Sequence, residues 1–201
     1  MQPIKVLVAC EFSGKVREAF RVLGHDAWSC DLDNSWDNSP YHYKCDVREI
    51  LGNGWDLMIA HPPCTHLSVS GARHFYKKEQ EQKEALDFVR LLLNCSIPKI
   101  ALENPIGIIS TRIRKPNQII EPWMFGHGDT KSTCLWLKNL PALVPTNIVN
   151  GRFSRTHYIG WERLDNSNPC ISWKRPSRKL AQKLRSITYD GIAKAMAEQW
   201  N

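Results

Sequence analysis

The chain has 201 residues, 42% hydrophobic and 23% charged, and a formal net charge of +7. This size fits one compact domain with at most a modest appendage, and the composition excludes disordered and collagen-like proteins. No apolar run reaches the roughly 18 residues that a membrane helix needs, and the mean hydropathy is −0.40. The first apolar stretch, Val6–Cys10, is too short for a signal peptide, so we expect a cytoplasmic protein with reduced cysteines.

Predicted strands and helices alternate over the first 110 residues. The strands are short apolar runs, as in strands buried on both faces of a parallel sheet, and the helices show an apolar stripe on one face. Strands are predicted at Ile4–Ala9, Ala27–Cys30, Leu57–Ala60 and Lys99–Leu102, and helices at Val16–Leu23 and Lys77–Asn94. This alternation favours an α/β fold with a doubly wound, Rossmann-like sheet.

The pattern is weaker beyond residue 115. Ser132–Leu137 predicts a strand, and the apolar spacing between Ile192 and Trp200 predicts an amphipathic C-terminal helix. Residues 139–175 are rich in Pro, Asn and Gly and are predicted to be loop with short strands.

The positive charge is concentrated in one segment. Residues 1–150 hold 17 basic and 16 acidic side chains, residues 151–185 hold nine and two, and the last sixteen residues add −1. A local excess of +7 indicates a polyanion-binding surface, and the interspersed His157, Tyr158, Trp161 and Trp173 favour nucleic acid over a merely solvated face. The candidate nucleic-acid-binding residues are Arg152, Arg155, Lys174, Arg175 and Arg178.

Residues with chemical potential follow the predicted strands, where ligands bind in open α/β sheets. Two acidic residues after successive strands suit a ribose and an adenine amino group, and a small glycine loop permits close approach of the backbone. A cysteine and a glutamate after two further strands bring a nucleophile and an acid to the same rim. The motifs are Phe12-Ser13-Gly14, Asp31, Asp46, His61-Pro62-Pro63-Cys64 and Glu103-Asn104.

A metal site at His61, Cys64 and His66 is disfavoured, because no CxxC or HxxxH pair accompanies these residues. The other six cysteines are interpreted as structural.

The order of these motifs resembles that of the DNA cytosine-5 methyltransferases, in which a Pro-Cys motif follows the fourth strand and an ENV-like motif the fifth. The match covers roughly residues 4–110, with a weaker echo from Ser186 to Trp200, and the chain is similar to short forms found in phages and prophages. The resemblance implies that Cys64 attacks cytosine C6, that Glu103 engages N3, and that S-adenosylmethionine donates the methyl group. A carboxylic acid with a raised pKa suits the role at N3.

The resemblance also assigns the remaining residues. Phe12, Ser13, Gly14, Asp31, Asp46 and Pro62 would bind the cofactor, while Pro63 and Asn104 would position the nucleophile loop. It implies a catalytic and cofactor-binding domain at 1–138, a small basic substrate-contacting segment at 139–185, and a C-terminal helix at 186–201 that packs back on the domain.

The sequence departs from the family pattern in three places. Val16 replaces the second glycine of the F-x-G-x-G motif, and no Gln-x-Arg-x-Arg motif is found, so that Lys131 or Arg152 would supply its cation. Only residues 139–173 are available for target recognition, which implies a short or relaxed target or a partner protein.

Alternatives therefore stay open at this point. The substrate would be double- or single-stranded DNA in a bacterial or phage-infected cell. The same chemistry on a free pyrimidine nucleotide or RNA, another one-carbon donor, and an inactive DNA-binding relative are the other hypotheses.

Overall fold

A computed structural model describes residues 2–69, 79–150, 162–163, 173–174 and 176–201, with the backbone alone for residues 162, 163, 173, 174 and 178. The strands are β1 (Lys5–Ala9), β2 (Asp26–Asp31), β3 (His42–Lys44), β4 (Leu57–Ala60), β5 (Lys99–Pro105), β6 (Gln118–Ile120), β7 (Thr133–Lys138), β8 (Glu162–Arg163) and β9 (Trp173–Lys174). The helices are α1 (Lys15–Val22), α2 (Glu79–Asn94), α3 (Ile109–Arg112), α4 (Arg178–Ser186) and α5 (Asp190–Gln199).

Seven strands form one sheet in the order β3-β2-β1-β4-β5-β7-β6. The five strands from β3 to β5 are parallel to their neighbours, whereas β7 is antiparallel to both β5 and β6. The strand order reverses between β1 and β4, which is the topological switch point where ligands bind in doubly wound sheets. The predicted α/β fold with a Rossmann-like sheet is confirmed.

Each face of the sheet carries its own apolar core. On one face, Phe20 of α1, Met196 of α5 and Trp200, directly after α5, pack on alternate residues of β1 and β4. On the other face, Val89 and Leu92 of α2 pack on the intervening residues. Because both faces are covered, the central strands are fully buried, which explains their continuous apolar sequence.

The predicted strands and helices are present, with ends that differ from the prediction by at most three residues; residues 77 and 78, predicted to begin the second helix, lie outside the described residues. β5 differs most, since it continues past Leu102 to Pro105. Pairing with β4 ends at Leu102, but β7 pairs with Glu103, Asn104 and Pro105 as well, so the antiparallel neighbour extends the strand. Glu103 and Asn104 thus lie inside β5, in the part that extends past the last residue of the neighbouring strand β4. The prediction that they follow their own strand is therefore wrong.

Helix α4 was not predicted. The Ser177 side chain accepts the Leu180 amide at 3.2 Å and caps the helix, whose two leucines, Leu180 and Leu184, are separated by one turn. The high basic content of this region conceals that short apolar pattern. β8 and β9 form a separate antiparallel pair. In the described part of the chain, no helix is long and apolar enough to cross a membrane.

Candidate active site

The loop after β4 presents Cys64 at the carboxyl edge of the sheet. The His61 amide donates to the Ala9 carbonyl at 2.9 Å, so the chain is still tied to β1 as it leaves β4. The Cys64 carbonyl then accepts the amides of Leu67 and Ser68, both at 3.0 Å, which closes a turn directly after the cysteine. Cys64 itself is exposed.

Two residues from the β5 side hold this loop. The Asn104 side-chain amide is buried and donates to the Pro62 carbonyl at 2.8 Å. The Ile108 amide donates to the Leu67 carbonyl at 2.8 Å, and a Cβ on Gly107 would come within 2.1 Å of that same carbonyl oxygen. Only glycine permits this approach, so the loop that carries Cys64 after β4 (the Cys64 loop) and the segment after β5 form one packed unit.

Glu103 shares the edge with Cys64 and is in contact with a histidine. Its Oε2 lies 3.1 Å from Nδ1 of His61, and the two side chains are 18% and 9% exposed. Burial alone would raise the pKa of Glu103, but the hydrogen bond and charge of His61, the charge of Lys131 and the Thr133 hydroxyl outweigh it and lower the pKa. The expectation of a raised pKa is therefore wrong for the free protein, because sequence reasoning did not anticipate the His61 contact.

The thiol of Cys64 has the opposite electrostatic balance. Partial desolvation and the charge of Glu103 raise its pKa, and the charges of Lys131 and Arg185 offset only part of that effect. At neutral pH the thiol of the free protein is thus largely protonated. Its ionisation is coupled to the charge on Glu103.

Lys131 lies beside both groups just before β7. Its amide donates to Oε2 of Glu121 at 2.7 Å, and its Nζ donates to the Arg185 carbonyl at 2.8 Å. Of the two cations considered as substitutes for the missing arginine motif, Lys131 acts electrostatically on both Cys64 and Glu103, whereas Arg152 falls outside the described residues.

A cavity of about 600 Å³ opens beyond the carboxyl ends of β1, β2 and β3. Asp31, the last residue of β2, lines it together with Asp46 and with Pro63 of the Cys64 loop. Its apolar wall includes Leu32, Val47, Phe88 and Leu91, of which Phe88 and Leu91 belong to α2.

The two aspartates of the cavity differ in whether another side chain already binds their carboxylates. Hydrogen bonds from the Arg48 side chain and amide lower the pKa of Asp46 to about 2, so its carboxylate is already engaged. Desolvation raises the pKa of Asp31, whose carboxylate accepts backbone hydrogen bonds from Asp33, at 2.9 Å to Oδ1, and from Leu32.

The Phe12-Ser13-Gly14 loop lies next to the cavity but does not line it, and neither does Pro62. Gly14 has a φ of +73°, and a Cβ there would come within 2.3 Å of the Arg17 guanidinium, so glycine is required. Arg17 is fully buried and pairs with Asp37, which ties this loop to the segment after β2.

Helix α4 crosses the same edge. Gln182 donates to the Thr65 hydroxyl at 3.3 Å, and Lys183 pairs with Asp33 and lies 5.2 Å from the Phe12 ring centre. The helix thus contacts both the Cys64 loop and the loop after β1.

Sequence reasoning missed four contributors to this region: His61 as a partner of Glu103, the buried Glu11, the α2 wall of the cavity, and α4. Each depends on contacts between distant segments. The capping serine before α4 is the one local signal that could have revealed any of them.

The predicted nucleic-acid-binding side chains fall outside the described residues. This applies to Arg152, Arg155 and Arg175 entirely, and to the side chains of Lys174 and Arg178.

No protein-family model matches the sequence, and no curated protein matches it. The solved structures that resemble it include a DNA modification methyltransferase encoded within an E. coli prophage (15% identity, 73% of this chain and 52% of that one, TM-score 0.49); the Entamoeba histolytica methyltransferase EhMeth (13%, 74% and 58%, 0.52); and a DNMT2 mutant from Spodoptera frugiperda (16%, 81% and 61%, 0.43).

The chain spans between 52% and 61% of the length of these proteins. At 13% identity, the likeness to EhMeth demonstrates a shared fold. The chain therefore has a Rossmann-like methyltransferase fold, and the resemblance predicted from the sequence is confirmed at that level.

Proposed function

We propose that this protein transfers a methyl group from S-adenosylmethionine to C5 of cytosine in DNA. The observation that carries the proposal is the position of Cys64 and Glu103. Cys64 follows β4 and Glu103 belongs to the adjacent strand β5, so both lie at the carboxyl edge of the sheet, where the charge of Glu103 raises the pKa of the thiol. A cavity of cofactor size lies beside them.

The two side chains suit the chemistry of an unreactive ring carbon. Cytosine C5 becomes nucleophilic when a thiolate adds to C6, because the electrons of the C5–C6 double bond then move toward C5 and N3. The Cys64 sulfur would form the bond to C6, and Glu103 would stabilise N3 by a proton or hydrogen bond. After C5 has accepted the methyl group, loss of the C5 proton and departure of the thiolate restore the ring.

Binding of a base would itself activate the thiol. Once the carboxyl group of Glu103 is neutralised by a proton or pairs with the base, it no longer raises the pKa of Cys64, while Lys131 and Arg185 continue to lower it. The nucleophile is thus held protonated until the substrate arrives.

The cavity fits the proposed cofactor. Its apolar wall suits an adenine ring, and Asp31 occupies the position at the end of β2 from which a carboxylate accepts ribose hydroxyls. Burial keeps Cys10 neutral, with its pKa raised to about 12, so the thiol adds no charge to this wall. When bound, S-adenosylmethionine supplies an electrophilic methyl group.

We expect S-adenosylmethionine to bind with a Kd between about 1 μM and 1 mM, and Asp31→Asn to raise that Kd by about tenfold, since a hydrogen bond to a charged group is lost. Asp26→Asn is the matched control, because Asp26 starts the same strand at the opposite edge of the sheet. Isothermal calorimetry measures both. Equal Kd values for the two variants would contradict the assignment of Asp31, and absence of any binding would contradict the cofactor.

DNA is proposed as the substrate because of the basic segment 151–185. DNA affinity should fall steeply with salt, and the double variant Arg175→Ala/Arg178→Ala should reduce the log–log slope by up to about two while weakening all sequences alike. Fluorescence anisotropy over a salt series measures the slope.

The control removes the same charge elsewhere. Lys83 and Lys194 are highly exposed on α2 and α5, so Lys83→Ala/Lys194→Ala should leave the slope unchanged. If both double variants behave alike, segment 151–185 is not the DNA-binding surface.

The function is tested by incubating the protein with S-adenosylmethionine carrying a deuterated methyl group and, in parallel reactions, with DNA, RNA or free pyrimidine nucleotides, followed by mass spectrometry of the nucleosides. We expect labelled 5-methyldeoxycytidine. Label found only on a free pyrimidine nucleotide or on RNA would overturn the DNA assignment, and label on no pyrimidine would overturn the proposal as a whole.

A further inference from the structure

A histidine lies between a buried glutamate and a partly exposed one at the carboxyl edge of the sheet. Strand β4 runs between β1 and β5 in the sheet. His61 directly follows β4, Glu103 belongs to β5, and Glu11 comes two residues after the end of β1. Three neighbouring strands thus supply a carboxylate, an imidazole and a second carboxylate.

The two nitrogens of the imidazole have different surroundings. Nδ1 lies 3.1 Å from Oε2 of Glu103. Nε2 is buried and has no hydrogen-bond partner among the described residues. His61 therefore makes its one side-chain hydrogen bond to the proposed catalytic glutamate.

Glu11 provides a second carboxyl group on the β1 side. Its carboxylate is 4% exposed and accepts the amides of Val16 at 2.7 Å and Arg17 at 3.3 Å, at the start of α1. Burial raises the pKa of Glu11, and the charge of His61 opposes that rise. Glu11 is thus close enough to sense the imidazole while its oxygens are held by backbone donors.

This arrangement resolves a difficulty with Glu103. A carboxylate with a lowered pKa has no proton of its own to offer N3 at neutral pH. The imidazole of His61, in hydrogen-bond contact with that carboxylate, is however a group that can carry a proton the carboxylate lacks.

We propose that His61 is a positioning residue that shares one proton with Glu103 and supplies it to the carboxyl group as cytosine N3 gains charge. This inference rests on the proposed function. The N–H bond at Nδ1 breaks as the carboxylate gains a proton, and an O–H bond of that carboxyl group then breaks as N3–H forms. A neutral imidazole and a carboxylate remain, and the proton returns when the thiolate leaves.

The ionisable groups that act on this pair come from three directions. Glu11 faces His61 from the end of β1, Lys131 and Cys134 lie near Glu103 on the β7 side, and Cys64 lies in the loop after β4. These four residues are kept unchanged in the experiment below.

The decisive variant is His61→Asn, whose amide can still donate to Glu103 but cannot carry the extra proton. We expect the single-turnover methylation rate to fall by about 10²-fold at pH 7.5, the usual scale for proton transfer. The loss should diminish as the pH is lowered, because Glu103 then becomes protonated from solvent. A variant with the rate and pH profile of the unmodified protein would overturn the proposal.

His25→Asn is the matched control. His25 is a buried histidine whose Nδ1 accepts the Ile4 amide at the opposite edge of the sheet, so this variant should keep the original pH profile. If it alters the profile as His61→Asn does, general destabilisation explains both and the proposal is wrong.

A measurement without substrate separates this inference from the proposed function. Carbon-13 NMR of the Glu103 carboxyl group should show its titration midpoint move to higher pH in His61→Ala, because burial is then less opposed. An unchanged midpoint would refute the pair even if cytosine is methylated. A shifted midpoint with no methylation by any variant would support the pair and refute the function.

Discussion

Cys64→Ser should abolish methyl transfer while the folded state is retained. A serine hydroxyl is far less acidic and less nucleophilic than a thiol, and it leaves C6 less readily, so both formation and breakdown of the adduct suffer. Because Cys64 is exposed, the substitution should change the free energy of unfolding by less than about 0.5 kcal/mol. Single-turnover transfer and thermal unfolding measure the two effects.

Cys95→Ser provides the matched control. Cys95 lies just after α2, before the start of β5, and thus at the edge of the sheet opposite to the site. It should retain full activity. A serine at position 64 that still produces methylated cytosine at nearly the original rate would show that another group attacks the ring.

Glu103→Gln should slow methylation by about 10²–10⁴-fold, the range expected when a general acid or base is removed. Binding of S-adenosylmethionine should barely change, because Glu103 does not line the cavity. A large loss of cofactor affinity with little loss of rate would mean that the residue serves the cofactor and not the base.

The same substitution should make Cys64 more reactive toward a simple electrophile. The charge of Glu103 raises the pKa of Cys64, so its removal lowers that pKa and increases the thiolate fraction at any pH below it. Alkylation of Cys64 by iodoacetamide can be followed by mass spectrometry across about pH 6–10, a range that brackets the reference thiol pKa. The pH dependence of the alkylation rate should shift to lower pH. Methylation slows while alkylation accelerates, and a merely misfolded variant would not show this opposition.

The described fold follows from the sequence where local patterns decide it. Leu57–Ala60 has four buried residues in succession, and a strand with both faces covered is the simplest explanation of such a run. Cys64 and Asp31 were found because parallel strands bring their carboxyl ends to one edge, so residues just after them become neighbours.

Contacts between distant segments could not be predicted in the same way. The length of β5 depends on β7, which begins 28 residues after β5 ends and pairs with Glu103 through Leu135. The lowered pKa of Glu103 depends on His61, 42 residues earlier in the chain. Neither the register of an antiparallel neighbour nor a single side-chain contact leaves a periodic signal in the sequence.

The central claim is a covalent bond between Cys64 and cytosine C6, and trapping on DNA containing 5-fluorocytosine tests it most directly. Fluorine cannot leave C5 as a proton does, so the methylated adduct should persist in the presence of S-adenosylmethionine. Intact mass spectrometry should show protein, oligonucleotide and one methyl group joined, with the bond mapped to the Cys64 peptide and absent in Cys64→Ser. Methylation of ordinary cytosine in DNA without any trapped adduct on the fluorinated substrate would contradict the account.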